Sequence, residues 1–159
     1  MTYYDHISDG YDELYKEEQI KKLDIIKSKI NIRNNSRLLD VGCGSGLSSD
    51  FSCFVVGIDP SIGLLKNNKN KMKIMGAAEL LPFKDSSFDY VISVTAINNF
   101  DDPEKSITEA KRVGKDNFVF SVLKKSKKFH KISRTIHKHF KVYNTVEEDK
   151  DAIFFCLKP

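Results

Sequence analysis

The residues whose types and spacing could do chemistry are two acids and a cluster of glycines. Asp40, Gly42, Cys43, Gly44 and Gly46 fall within Leu38-Leu39-Asp40-Val41-Gly42-Cys43-Gly44-Ser45-Gly46-Leu47, and Asp59-Pro60-Ser61 begins 19 residues after Asp40. An apolar run that ends in an acid and then in alternating glycines reads as a buried strand stopping at a ligand-approach loop. Glycine permits positive φ and lets a ligand meet main-chain atoms without a Cβ between them. An acid closing the second strand of a β-α-β unit can accept from both hydroxyls of a ribose, and the 19-residue separation suits such a unit. A nucleotide-like ligand is therefore the expectation. NAD and FAD are disfavoured because Leu47 stands where the dinucleotide fingerprint needs glycine, and the Gly-Lys-Ser/Thr ending of a phosphate loop is absent.

Elements that position these residues can be read from periodicity. Ile20, Leu23, Ile26 and Ile30 form a stripe with lysines opposite, which predicts a helix from about Glu17 to Lys29 packed on a sheet. Strands are expected at Ser36–Val41, Phe54–Ile58, Lys73–Met75, Phe88–Val94 and Asn117–Leu123, with a short helix over Gly46–Ser52 and another capped by Ser61. Asp102-Pro103-Glu104 opens a further helix and Gly114 stops it. Phe129, Ile132, Ile136 and Phe140 keep helical spacing, and Val142–Val146 with Ala152–Leu157 read as a closing antiparallel hairpin. With 159 residues and no repeat or linker, one domain is expected: an N-terminal flap and helix over 1–35, a ligand-binding core over 36–123, and a basic helix with hairpin over 124–159.

Composition excludes other classes. No apolar run approaches the roughly 20 residues of a membrane span, and the N-terminus lacks a signal-peptide pattern, so cytoplasmic residence is the default expectation. Cys43, Cys53 and Cys156 make no C-x-x-C pair, and the four histidines make no metal-ligand spacing, so no metal is expected. Cys43 reads as a small side chain filling space between strand and ligand. Between Lys124 and Lys141 lie eight cations and no acid; they exceed the net charge of +4, so the rest of the chain carries a net −4. That block is the solvated face of an amphipathic helix or a footprint for RNA, an acidic metabolite or an anionic surface; its apolar residues keep helical spacing and no aromatic stacking platform accompanies them, which favours the first.

Taken together, the residues resemble the class I S-adenosylmethionine-dependent methyltransferases, small-molecule branch, which includes the quinone-biosynthesis enzymes. The resemblance runs from Leu38–Gly46 through Gly57-Ile58-Asp59-Pro60-Ser61, Ala78-Glu79-Leu80-Leu81-Pro82-Phe83, Ser87-Phe88-Asp89-Tyr90-Val91 and Glu109-Ala110-Lys111-Arg112-Val113, with Tyr4–Asp12 similar to the lead-in. It implies an α/β fold: a Rossmann-like, doubly wound, mostly parallel seven-stranded sheet with an antiparallel closing strand in three αβα layers. It also implies S-adenosylmethionine as cofactor and S-adenosylhomocysteine as product. Gly42 and Gly44 would lie against the methionine part and Asp40 would help organise the pocket. Asp59 would bind the ribose, with Pro60 and Ser61 flanking the adenosine. Ala78, Glu79 and Leu80 would border the adenine, and Thr95 would sit beside the methionine moiety and the methyl group.

Three departures from the family pattern stand out. Ala77 occupies a position that is often acidic, the helix after the glycine loop is short, and only the basic helix separates the fifth strand from the hairpin. A minimal lid suggests an acceptor that covers the site itself, a partner subunit that does so, or lost activity. No Asn/Asp-Pro-Pro-Tyr or Pro-Cys follows the fourth strand, which disfavours amino-group methylation of adenine and cytosine C5 chemistry. Thr95 ends that strand in place of an acid, which argues against a metal-assisted catechol reaction. A small or medium acceptor is expected, with His6, Tyr4, Tyr11, Asn98 and Asn99 as candidates to line its side.

Overall fold

A computed structural model describes residues 12–159. Tyr4, His6 and Tyr11, and with them the expected N-terminal flap, lie outside the described residues. Seven strands form one sheet in the order β3-β2-β1-β4-β5-β7-β6. The strands are β1 (Arg37–Val41), β2 (Phe54–Asp59), β3 (Lys73–Met75), β4 (Phe88–Val94), β5 (Gly114–Leu123), β6 (Lys141–Glu147) and β7 (Asp151–Leu157). Strands β1 to β5 pair in parallel, and β7 runs antiparallel between β5 and β6. Because the chain winds outward from β1 in one direction and from β4 in the other, a crevice opens beyond the carboxyl ends of these two strands.

Successive strand residues face opposite sides of a sheet, and both sides here are apolar. Leu38 joins Leu23, Ile26, Phe51, Val119 and Phe155 on one face, beneath α1 (Asp12–Lys29). Leu39 joins Ile107, Phe120, Ile136 and Phe154 on the other, beneath α3 (Pro103–Val113) and α4 (Phe129–His139). Two helical layers therefore enclose the sheet. A fourth helix in the set, α2 (Ile62–Lys66), follows β2 and is capped by Ser61, whose hydroxyl accepts from the Leu64 amide at 3.2 Å. Asp102 caps α3 through the Lys105 amide at 3.1 Å, with Pro103 in its first turn. None of the described helices is long and apolar enough to cross a membrane.

Several boundaries differ from the sequence expectation. Gly114 ends α3 and also begins β5, so that strand starts three residues before Asn117. In place of a helix over Gly46–Ser52 there is a single 3-10 turn, Leu47–Asp50. Ser and Asp side chains compete with the helical backbone, and here Ser48 turns its hydroxyl onto Asp40. The largest difference is on α1, which begins at Asp12. Ile20 is 41% exposed and leaves the buried stripe, whereas Lys22, expected among the outward lysines, is 1% exposed. A lysine tolerates that depth only with a partner, and Lys22 has Asp151 at 3.2 Å.

Candidate active site

A cavity of about 530 Å³ occupies the crevice beyond β1 and β4. Its wall brings together Asp40, Gly42, Cys43 and Gly44 from the β1 end, Asp59, Pro60 and Ser61 from the β2 end, and Thr95 from the β4 end. Ala78, Glu79 and Leu80 are not among its lining residues. Ala78 is buried in the core, Leu80 is 74% exposed, and a Glu79 carboxylate oxygen accepts from the Asp102 amide at 3.2 Å. Asn99 lines the cavity, whereas Asn98 lines a neighbouring one.

The glycine loop is held from three directions. Amides of Gly42 and Cys43 donate to the Ile58 carbonyl at 2.8 and 3.1 Å. Asp59 spans the loop and its own turn, accepting from the Gly44 amide through Oδ2 at 3.0 Å and from the Ser61 amide through Oδ1 at 2.8 Å. Asn68, from the polar connector after α2, donates through Nδ2 to the Gly44 carbonyl at 3.0 Å. Asn68 was invisible in the sequence because it sits in an Asn/Lys-rich run with no period to mark it.

The three loop glycines have different reasons to be glycine. All have positive φ, but a Cβ on Gly46 would strike the Asn68 amide, at 2.2 Å from its Oδ1, and one on Gly42 would meet Ala96. A Cβ on Gly44 would find only Leu64 Cδ1, at 3.6 Å. Gly44 is therefore the position where the loop presents bare main chain to the cavity.

Two carboxyls and a thiol lie close together here. Burial, with repulsion from Asp59 adding to it, pushes Asp40 up to about 7 against the opposing hydrogen bond from Ser48. Burial, reinforced by Asp40 and then Asp59, raises the Cys43 thiol well above its usual range. Such a thiol stays neutral and is no nucleophile. Its Sγ fills the space over Gly57, where a Cβ would stand 2.7 Å away.

Thr95 turns the chain at the carboxyl end of β4 with φ +51°, a conformation that a β-branched residue adopts at a cost of about 1–3 kcal/mol. Its hydroxyl accepts from Lys22 Nζ at 2.7 Å and donates to Asp151 Oδ2 at 2.7 Å, with the Gln19 amide within 3.4 Å, so the group expected beside the cofactor is committed to neighbouring side chains. Ser121 donates to the same Asp151 oxygen. Behind Thr95 a second cavity of about 420 Å³ shares Tyr15, Gln19, Thr95 and Asn99 with the first.

The Glu109–Val113 and Ala78–Phe83 stretches meet outside the cavity. Arg112 donates to the carbonyls of Leu81 and Phe83 at 2.9 and 2.8 Å and pairs with Glu109 and Asp85. Glu109 in turn accepts from the Leu81 amide at 2.8 Å. These charged residues staple the loop before β4 to α3.

Residues 39–122 match the family described as a methyltransferase domain. Over 125 residues the chain is 34% identical to an uncharacterised protein of Methanocaldococcus jannaschii, covering 76% of this chain and 50% of that one. Over 87 residues it is 40% identical to the demethylmenaquinone methyltransferase of Renibacterium salmoninarum, covering 50% of this chain and 37% of the relative. Among solved structures, the methyltransferase in complex with the Haloferax volcanii Trm112 activator shares the fold with a TM-score of 0.78 at 16% identity, with 95% of each chain covered. The chain spans about half the length of the curated relatives it matches.

The chain belongs to the methyltransferase-domain family. Its fold is the Rossmann-like α/β fold of the class I enzymes, and S-adenosylmethionine is the cofactor that family and fold imply. The cavity fits such a ligand: it has an ordinary small-molecule volume, an acid at the β2 end where a ribose is held, and a Cβ-free main-chain face at Gly44.

Proposed function

We propose that this protein transfers a methyl group from S-adenosylmethionine to a small or medium acceptor. The carrying observation is the Asp59 carboxylate, fixed by the Gly44 and Ser61 amides beside a glycine that opens onto the cavity. Asp59 would hold the ribose hydroxyls, with Pro60 and Ser61 beside the adenosine. Gly44 would take the methionine part against bare backbone, and Asp40 would shape that end of the pocket. When bound, the cofactor supplies a methyl group on a positively charged sulfur. The chain's own residues have to orient donor and acceptor and exclude water. The second cavity, adjoining the first across Tyr15, Gln19, Thr95 and Asn99, supports placing the acceptor there, with Asn98 in its lining. Calorimetry with S-adenosylmethionine, S-adenosylhomocysteine and NAD tests the reading. Binding of the first two and not the third is expected, and no binding of the first two rejects it.

RNA as acceptor is a second reading, favoured by one contact. Lys128 Nζ reaches the carbonyl of Phe100 at 3.3 Å, and Phe100 lines the cofactor cavity, so the basic stretch Lys124–Lys141 starts beside the cavity mouth. RNA affinity that falls steeply with added salt would support it, whereas no binding at low salt removes it. A third reading, a regulatory protein that binds the cofactor without turnover, is separated from both by methyl-transfer assays against a panel of acceptors once cofactor binding is established.

A further inference from the structure

The most deeply buried charge on α1 belongs to Lys22. Lys22 is buried and borders the second cavity, yet it lines no part of the cofactor cavity. Its ammonium sits between α1, β4 and the β6–β7 turn: it donates to Thr95 Oγ1 at 2.7 Å, pairs with Asp151 at 3.2 Å, and lies 4.0 Å from Glu148. Asp151 completes the ring, since it accepts from both Thr95 and Ser121 and its own amide donates to Glu148 at 2.6 Å. A buried ion pair is rarely the most stable way to fill such a space, because the desolvation of both charges opposes their attraction. Its presence calls for a task beyond stability.

That task is visible in the backbone. Thr95 is a β-branched residue held at φ +51°, where such residues are strained. The turn sends Ala96 against Gly42 and starts the segment through Asp101 that forms one wall of the cofactor cavity. The Thr95 amide donates to the Ser121 carbonyl at 3.0 Å and the Asn99 amide to the Ala96 carbonyl at 2.9 Å. The grip on the Thr95 hydroxyl is what over-determines the strained turn.

We propose that Lys22 is a positioning residue: with Asp151 it clamps the Thr95 hydroxyl and so holds the post-β4 turn in the shape that forms the cofactor cavity. The proposal rests on the methyltransferase reading for its ligand but not for its geometry. Glycine adopts φ +51° without the penalty of a Cβ, so a chain with glycine at 95 should not need the clamp.

The full chain carrying Lys22→Met, Thr95→Val, and Lys22→Met with Thr95→Gly tests this. In the ligand-free protein, amide exchange at Thr95 and Asn99 should accelerate in Lys22→Met, and affinity for S-adenosylhomocysteine by calorimetry should fall about tenfold or more. Thr95→Val, which keeps Lys22 paired with Asp151, should show the same two effects. The double variant should recover exchange protection at Asn99 to within about threefold of the wild type, whatever its affinity, since residue 95 itself lines the cavity. Its melting temperature should stay at or below that of Lys22→Met, because Asp151 lacks its cation in both and loses the Thr95 hydroxyl as well in the double variant. A purely structural Lys22 would give no such split. Wild-type exchange in Lys22→Met, or exchange at Asn99 in the double variant as fast as in Lys22→Met, overturns the proposal. Should Lys22→Met not fold, wild-type exchange at Asn99 in Thr95→Val overturns it alone. A wild-type chain that does not bind S-adenosylhomocysteine sinks the methyltransferase reading, while the exchange data still decide the clamp.

Discussion

A Cβ built on Gly42 would lie 2.5 Å from the Cβ of Ala96, so the first glycine of the loop is where the turn after β4 rests on the end of β1. Gly44, by contrast, has only Leu64 within ordinary contact distance. Gly42→Ala must accept positive φ and also displace backbone-bound Ala96, and is expected to lower stability by more than about 3 kcal/mol. Gly44→Ala has only the backbone penalty, about 1–2 kcal/mol, but puts a methyl group into the cavity. Urea unfolding should rank Gly42→Ala as far the less stable, and calorimetry should show that Gly44→Ala loses more S-adenosylhomocysteine affinity than its stability loss explains. Equal stabilities would contradict this division of roles.

Asp59→Asn keeps the shape and one acceptor oxygen but removes the charge that faces Gly44 and Ser61. A charge-assisted hydrogen bond contributes about 1.5–3 kcal/mol, so affinity for S-adenosylhomocysteine should fall roughly tenfold to a hundredfold. Unchanged affinity in calorimetry would reject Asp59 as the ribose ligand.

Asp40 ties stability to pH. Burial, with Asp59 nearby, raises it to about 7 from the usual 3.8. Between these values the folded chain holds a proton that the unfolded chain has released, so stability drawn from Asp40 is fully present below 3.8 and is lost as the pH rises from there through about 7. Asp40→Asn mimics the neutral acid at every pH. In thermal melts of the ligand-free protein its stability relative to wild type should therefore rise from pH 5 to pH 8, and a difference that is flat or falls with pH would refute the assignment.

Arg112 joins Leu81, Phe83, Asp85 and Glu109, two of them through their backbone carbonyls. Arg112→Ala should lower stability by about 2 kcal/mol in urea. Arg112→Lys should recover only part of this, since an ammonium cannot span the fork. Full recovery by lysine would mean that charge alone matters there.

Residues 38–59 illustrate how far local pattern reaches. An apolar run, positive-φ glycines and an acid at the end of the next strand are local signals, and the strand, loop and second strand appear where periodicity places them. Ser61 and Asp102 cap their helices for the same reason: a cap is made by a side chain and amides within three residues. The short helix after the loop failed because Ser48 had a better partner in Asp40, a choice made across 8 residues.

What the sequence by itself determined is the alternation of strands and helices, the glycine-and-acid motif, and through it one wall of the cavity. What only the tertiary structure decided are contacts between residues far apart in the chain. Asn68 pins Gly44, Glu109 and Arg112 staple the loop ahead of β4, and Lys22 turns inward to meet Thr95 and Asp151, 73 and 129 positions away. A lysine in an amphipathic pattern reads as solvent-facing because burying its charge alone is prohibitive. Only a fold that brings a buried carboxylate within 3.2 Å of it reverses that sign.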